Sequence, residues 1–302
     1  MTGRVVWLST SPRVAPGLLT AEAWDAVRSG PIFAASADHP QFAALGAAVL
    51  DPAALHESGP CTWLAADGED DLLASLGDDA VVVVGSRDLP GARLLDAVAV
   101  MDRLRSPGGC PWDAEQTHAS LAPYLIEETY EAYQAIEDGA IDTDLREELG
   151  DVLLQVLFHA RLAEEREQPW SVDDVAAGLV AKLVGRHPHV FADASASDAG
   201  EVERTWDLIK AQEKGRTSVV DGVPLSQPAL SLAAKLVGRA RKNDLPVALD
   251  DAAADASADE LVGRALFGIV ARARAQGVDP EAALRTVARS YAAHLRTAEQ
   301  SQ

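Results

Sequence analysis

The 302-residue sequence is short of cations: 26 Lys and Arg stand against 47 Asp and Glu, a formal net charge of −21. Such a chain repels nucleic-acid polymers and anionic membranes, so neither is expected as a main partner. A small phosphorylated ligand is still admissible, because a bound divalent cation reverses the sign locally. Cysteine is scarce too. Cys61 and Cys110 lie far apart, form no CxxC, and suit free thiols in a reducing cytosol. No run of about 18 or more apolar residues occurs, so no membrane span is expected. "MTGRVVWLSTSPRVAPG" lacks the long apolar stretch of a secretory signal, and a cytoplasmic location is expected. The strand-like "VVVVGS" is followed by neither GxGxxG nor GxxxxGK[ST], which argues against a nucleotide-binding turn there.

What is present reads as a mainly α protein with a small α/β N-terminal region over residues 1–92. "RVVWLS" and "DAVVVVGS" are short β-branched runs ending in small residues, as buried strands do. From about residue 93 the period is helical: "ARLLDAVAVMDRLRS" (92–106), then a turn through "CPWDAEQTHASLAP", then helices over 120–138, 144–166 and 171–185. Asp144 with Glu147 reads as a capping box. "RHPHVFADASASDAG" reads as a loop, 200–214 as helix, and 228–299 as a last helical region.

Acidic residues recur in "YLIEETYEAYQAIED" and "DLREELGDVLL". At about 100° per residue, an apolar stripe in the first helix runs Leu121, Leu125, Thr129, Ala132, Ile136. In the second it runs Leu145, Leu149, Val152, Val156, Ala160. Glu128 and Glu131 sit about 60° and 120° from Leu125; Glu148 and Asp151 sit at the same two offsets from Leu145. The short break at 137–143 favours antiparallel neighbours, and antiparallel packing brings equal offsets to one side of the seam. Four carboxylates gathered there repel one another unless a hard cation neutralises them, and Mg²⁺ takes such oxygen ligands. Glu127 points further round. A di-iron centre needs two Glu-x-x-His pairs, and Glu115–His118 is one without a second. His187 and His189 have no Cys or third His nearby for zinc.

Glu127, Glu128 and Glu131 as EExxE, with Glu148 and Asp151 as ExxD, resemble the MazG family of nucleoside triphosphate pyrophosphohydrolases. "GGCPWDAEQTHASLAPYLIEETYEA", "LREELGDVLLQVLFHARLAEE", "KLVGRHPHVFAD" and "WDLIKAQEK" follow in that family's order, over about residues 93–235. The resemblance implies an all-α helical bundle core, a homodimer, and Mg²⁺-dependent cleavage of a nucleoside triphosphate to monophosphate and pyrophosphate. It carries Glu128, Glu131, Glu148 and Asp151 over as metal ligands. Glu127 is the candidate for orienting or deprotonating the attacking water. Lys182 and Arg186, four apart on one helix face, are candidate phosphate contacts, with Lys210 and Lys214 as a second such pair. Trp112 and Gln116 are candidates for stacking on and hydrogen-bonding the base. Housecleaning of non-standard nucleotides fits this activity. The alternatives are a non-catalytic helical protein that binds nucleotide or a partner, and a narrower enzyme for one deoxynucleotide or phosphoribosyl metabolite.

The chain also resembles itself. "ELGDVLLQVLFHARL" (148–162) overlays "LVGRALFGIVARARA" (261–275), with Leu261 in place of Glu148 and Arg264 in place of Asp151. The expected organisation is therefore 1–92 α/β, 93–220 catalytic and helical, and 221–302 a degenerate helical domain without metal ligands.

Overall fold

In "VVWLS", Val5 and Trp7 point to one side and Val6 and Leu8 to the other, so the strand needs cover on both faces. In the computed structural model it receives that cover. Residues 5–193, 195, 198, 200–202, 205, 206, 209, 218–249 and 255–300 are described. They fall into two compact units, 1–180 and 181–302.

The first unit opens with a five-stranded parallel sheet of order β3-β2-β4-β1-β5. The strands are β1 (Val5–Ser9), β2 (Ile32–Ala34), β3 (Ala48–Val49), β4 (Cys61–Ala65) and β5 (Ala80–Val84). Helix α1 (Ala21–Ser29) covers one face, with Ala23 packed among Leu8, Ala34, Leu64 and Val83. The short helix α2 (Phe42–Leu45) joins that face through Leu45. Helix α3 (Asp70–Leu76) covers the other, with Leu76 packed among Val5, Trp7, Leu55 and Trp63. The strands expected in "RVVWLS" and "DAVVVVGS" are both there, as β1 and β5. The other three run two to five residues and carry too little pattern to announce themselves.

Gly85, which ends the "VVVVGS" run, has a packing role. A Cβ there would lie 2.8 Å from Leu8 Cδ1 and 3.1 Å from Leu19 Cδ2. Its backbone bonds to Ser9 O and Thr20 N, both at 2.8 Å, and ties β1, β5 and α1 together.

Helix α4 (Arg93–Arg105) ends at "SPGGC", where Cys110 N donates to Leu104 O at 2.7 Å. A Cβ on Gly109 would fall 2.2 Å from that same carbonyl, so only glycine fits the reversal. The segment after it, expected as a turn, holds a short helix, α5 (Pro111–Glu115), with Pro at its first position, where a missing N–H costs nothing. Then come α6 (His118–Asp138) and α7 (Asp144–Ala163), packed as an antiparallel hairpin, with Gly139 in the left-handed conformation closing α6. Met101 of α4 packs against Leu121, Leu157, Phe158 and Leu162. Arg105 holds both carboxylate oxygens of Glu165, at 2.8 and 2.9 Å, and also donates to Asp113 O. Arg161 bonds Asp102 at 2.8 Å and Glu165 at 3.0 Å. These ion pairs fasten α4 and α5 to the end of α7.

The expected capping box at Asp144 does not form. The residue before α7 is Thr143, whose hydroxyl donates to Asp144 Oδ1 at 2.6 Å and caps no backbone N–H. The box stands instead on α6, where Thr117 and Ser120 bond each other's backbone N–H at 3.1 and 2.9 Å.

Helix α8 (Val172–Arg186) leads into the second unit, where the expected "RHPHV" loop contains a helical turn, α9 (Pro188–Phe191). Of 200–214, residues 200–202, 205, 206 and 209 are helical, whereas Lys210 and Lys214 lie outside the described residues. The last region divides into α10 (Ala229–Lys242), α11 (Ala258–Ala275) and α12 (Pro280–Gln300). Arg239 is fixed by two carbonyls, Val219 O at 2.6 Å and Asp221 O at 2.8 Å.

Candidate metal centre on the helical hairpin

Where α6 meets α7, the seam is turned slightly from the expected stripes. Leu121, Ala132 and Ala135 are buried and Leu125 and Glu128 half-buried, while Thr129 and Ile136 are exposed. On α7, Gln155 is buried and Leu145, Glu148, Val152 and His159 half-buried, while Leu149 and Val156 are exposed. The inward positions alternate steps of three and four, the 3.5-residue period of helices that wrap one another, rather than the mostly four-residue steps of the expected stripes. The shift places Glu128 and Glu148 in the seam itself.

Glu128, Glu131 and Glu148 each bring a carboxylate oxygen within 4.8 Å of the others. Burial pushes the Glu128 carboxyl above the ordinary carboxylate range, and the neighbouring charges of Asp151, Glu131 and Glu127 push it further. Glu148 is raised likewise, by burial first and then by Glu131, Asp151, Glu147 and Asp144. Asp151 is half-buried and outside the tight trio, yet it acts on both of its seam-lying members. Glu127 is exposed and reaches the cluster through its charge on Glu128. Hard oxygen donors this close, with protonation favoured for want of a counter-charge, fit a divalent cation of the Mg²⁺ type.

The remaining expected site residues are placed as follows. Trp112 is 51% exposed and lies edge-on to Tyr124 and Phe158, at 6.2 and 6.4 Å between ring centres. Gln116 is engaged at both ends inside the α5–α6 corner: its amide nitrogen donates to Trp112 O at 2.9 Å and its oxygen accepts from Ser120 at 2.7 Å. Lys182 is exposed on α8, and Arg186 lies 6.0 Å over the Trp206 ring; both belong to the second unit. His187 bonds Leu183 O at 2.6 Å through Nδ1.

One pair escaped the sequence. His118 and His159 stack at 5.1 Å between rings with planes 5° apart, their Nδ1 atoms 2.8 Å from each other. Among the described residues each Nε2 is buried without a partner, and so is Gln155 Oε1. Burial, then His118, lowers the His159 pKa. The same antiparallel register that pairs Glu128 with Glu148 pairs these histidines, and that was the signal available.

A family model described as the MazG nucleotide pyrophosphohydrolase domain matches residues 116–191, a span that holds all the clustered carboxylates. An uncharacterized 26.1 kDa protein from the blaB 3' region of Streptomyces cacaoi is 52% identical over 223 residues, 73% of this chain and 88% of that protein. The nucleoside triphosphate pyrophosphohydrolase/pyrophosphatase MazG of Thermotoga maritima is 41% identical over 222 residues, 68% of this chain and 85% of that protein. The nucleoside triphosphate pyrophosphohydrolase of Mycobacterium tuberculosis is 46% identical over 212 residues, 70% of this chain but 59% of that protein, so this chain spans less than two thirds of it. With identity at this level across most of the Thermotoga protein, and the domain match centred on the carboxylate hairpin, the chain belongs to the MazG family.

Proposed function

We propose that this protein hydrolyses nucleoside triphosphates to nucleoside monophosphate and pyrophosphate, using Mg²⁺ held on the α6–α7 hairpin. The observation that carries the reading is the meeting of Glu128, Glu131 and Glu148 oxygens within 4.8 Å, in a domain whose relatives bear that activity as their name. Glu128, Glu131, Glu148 and Asp151 would hold the metal. When bound, Mg²⁺ supplies charge neutralisation of the phosphates and polarisation of the bond to be broken.

The chain's own groups do the rest. Glu127, outside the ligand set, accepts the proton of the attacking water. Trp112, half exposed on a base of Tyr124 and Phe158, offers a face for the base to stack on. Gln116 holds the corner beneath it through Trp112 O. Lys182 and Arg186, both inside the matched span, are the candidate phosphate-binding cations.

The working form is a homodimer. Ile126, Ile136 and Leu149 are 58%, 54% and 52% exposed on the hairpin, an apolar surface that a second copy would cover. Residues 221–302 act as a helical domain without metal ligands. Leu261 cannot ligate, and Arg264 pairs with Glu260 at 2.9 Å on the same helix. No helix among the described residues is long and apolar enough to cross a membrane. The unpaired thiols of Cys61 and Cys110 suit the cytoplasm.

The direct test is ³¹P NMR of the products formed from a panel of canonical and damaged triphosphates with Mg²⁺. Monophosphate and pyrophosphate signals should grow together. Diphosphate with orthophosphate would overturn the reading.

A further inference from the structure

The carboxyl edge of the N-terminal sheet carries a second cavity that shares no residue with the carboxylate cluster. β1 and β4 are parallel neighbours, but the chain leaves them toward opposite faces. After β1 it goes to α1, which packs on Leu8 and Leu64; after β4 it goes to α3, which packs on Trp7 and Trp63. In open parallel sheets such a divergence opens a crevice beyond the strand ends, and ligands are bound there. Here the crevice is a cavity of about 300 Å³, at the lower end of the range for small-molecule sites.

Its lining selects among ligands. Pro12, Ala35 and Pro40 offer apolar wall, and Asp38 and Asp67 bring carboxylates. Among the described residues, no Lys or Arg lines it. Arg13, next to the wall, is taken up by Asp88 at 2.7 Å and by Asp96 of α4 at 2.8 Å. His39 is engaged at both ring nitrogens: Nδ1 accepts from Gln41 N at 3.1 Å, and Nε2 lies 3.2 Å from Ala65 O. Among the described residues a phosphate would therefore meet two carboxylates and no Lys or Arg, whereas sugar hydroxyls would find acceptors.

We propose that this cavity binds an unphosphorylated nucleoside, its base against Pro12, Ala35 and Pro40 and its ribose hydroxyls donating to Asp38 and Asp67. The loop that closes it is tied to the hairpin side of the unit. Ser11 donates to Asp88, and Arg13 bonds Asp96 of α4, whose Met101 packs on α7.

The test uses the full chain without added metal and the four ribonucleosides as probes, by calorimetry and ligand-observed NMR. At least one ribonucleoside should bind saturably, and its 5′-monophosphate should bind at least about tenfold more weakly. Ala66→Trp should block binding, and Asp67→Asn should weaken it about tenfold; Asp67 is exposed, so folding does not hinge on it. Glu131→Gln should leave binding unchanged. The proposal fails if no ribonucleoside saturates the protein at millimolar concentration. It fails equally if binding is indifferent to both cavity variants, or is lost in Glu131→Gln, which would assign it to the carboxylate cluster.

Discussion

Glu131 is exposed on α6, yet its carboxylate is one of three within 4.8 Å. Without a cation, like charge is the dominant relation among them. Glu131→Gln should therefore raise the melting temperature of metal-free protein while lowering Mg²⁺-dependent turnover by at least about a hundredfold. Differential scanning fluorimetry with and without Mg²⁺ separates the two effects. The sign with pH is the same. Glu128 and Glu148 have folded pKa values above the ordinary 4.5, so the folded protein holds their protons longer. Stability from these groups is present below about the unfolded value and lost as pH rises through the folded ones, until metal binds. His159 runs oppositely. Its folded pKa lies below 6.5, so its contribution is present above that value and lost as pH falls through the lowered one. Melting temperature should drop between pH 7 and pH 5 more in the wild type than in His159→Phe. Equal drops would show that the histidine pair is protonated without strain.

At the scale of elements, two fastenings hold the hairpin in place. Arg105, 8% exposed, binds both oxygens of Glu165 and the carbonyl of Asp113. Arg105→Met should cost about 2 kcal/mol, the worth of hydrogen bonds to a charged group, measured by urea unfolding. Gly109→Ala should cost at least as much, since its Cβ would fall on the Leu104 and Arg103 carbonyls. An unchanged midpoint in either variant would show that the α4 terminus does not depend on these contacts. This scale also shows what the sequence made legible. Helices α4, α6, α7 and α8 were readable because each repeats its apolar period over many residues. Equal offsets then brought Glu128, Glu131 and Glu148 together without any coordinates. The rotation of the seam was not readable, because Thr129 and Ile136 fit a helical stripe as well as Glu128 and Ala135 do. Only packing against a partner selects the 3.5-residue step. Nor were β2 and β3 readable: at three and two residues, they are fixed by pairing with neighbours rather than by their own composition. Thr117 and Ser120 differ from the common Ser/Thr-x-x-Glu capping signature only in the last residue, while Asp144 and Glu147 imitate it without forming it.

For the whole molecule, the exposed apolar face of the hairpin has a direct consequence. Ile126→Asp, at a position 58% exposed, should give a monomer in light scattering where the wild type gives the proposed homodimer, without lowering helix content. A dimer of unchanged mass would place the interface elsewhere. The proposed role of the acidic hairpin, holding the metal for pyrophosphate release, meets its sharpest test in phosphate release from a nucleoside triphosphate, with and without added inorganic pyrophosphatase, in the wild type and in Asp151→Ala. Phosphate should appear only with the coupling enzyme, only with Mg²⁺, and not in Asp151→Ala. Orthophosphate released without the coupling enzyme, or full turnover in Asp151→Ala, would contradict it.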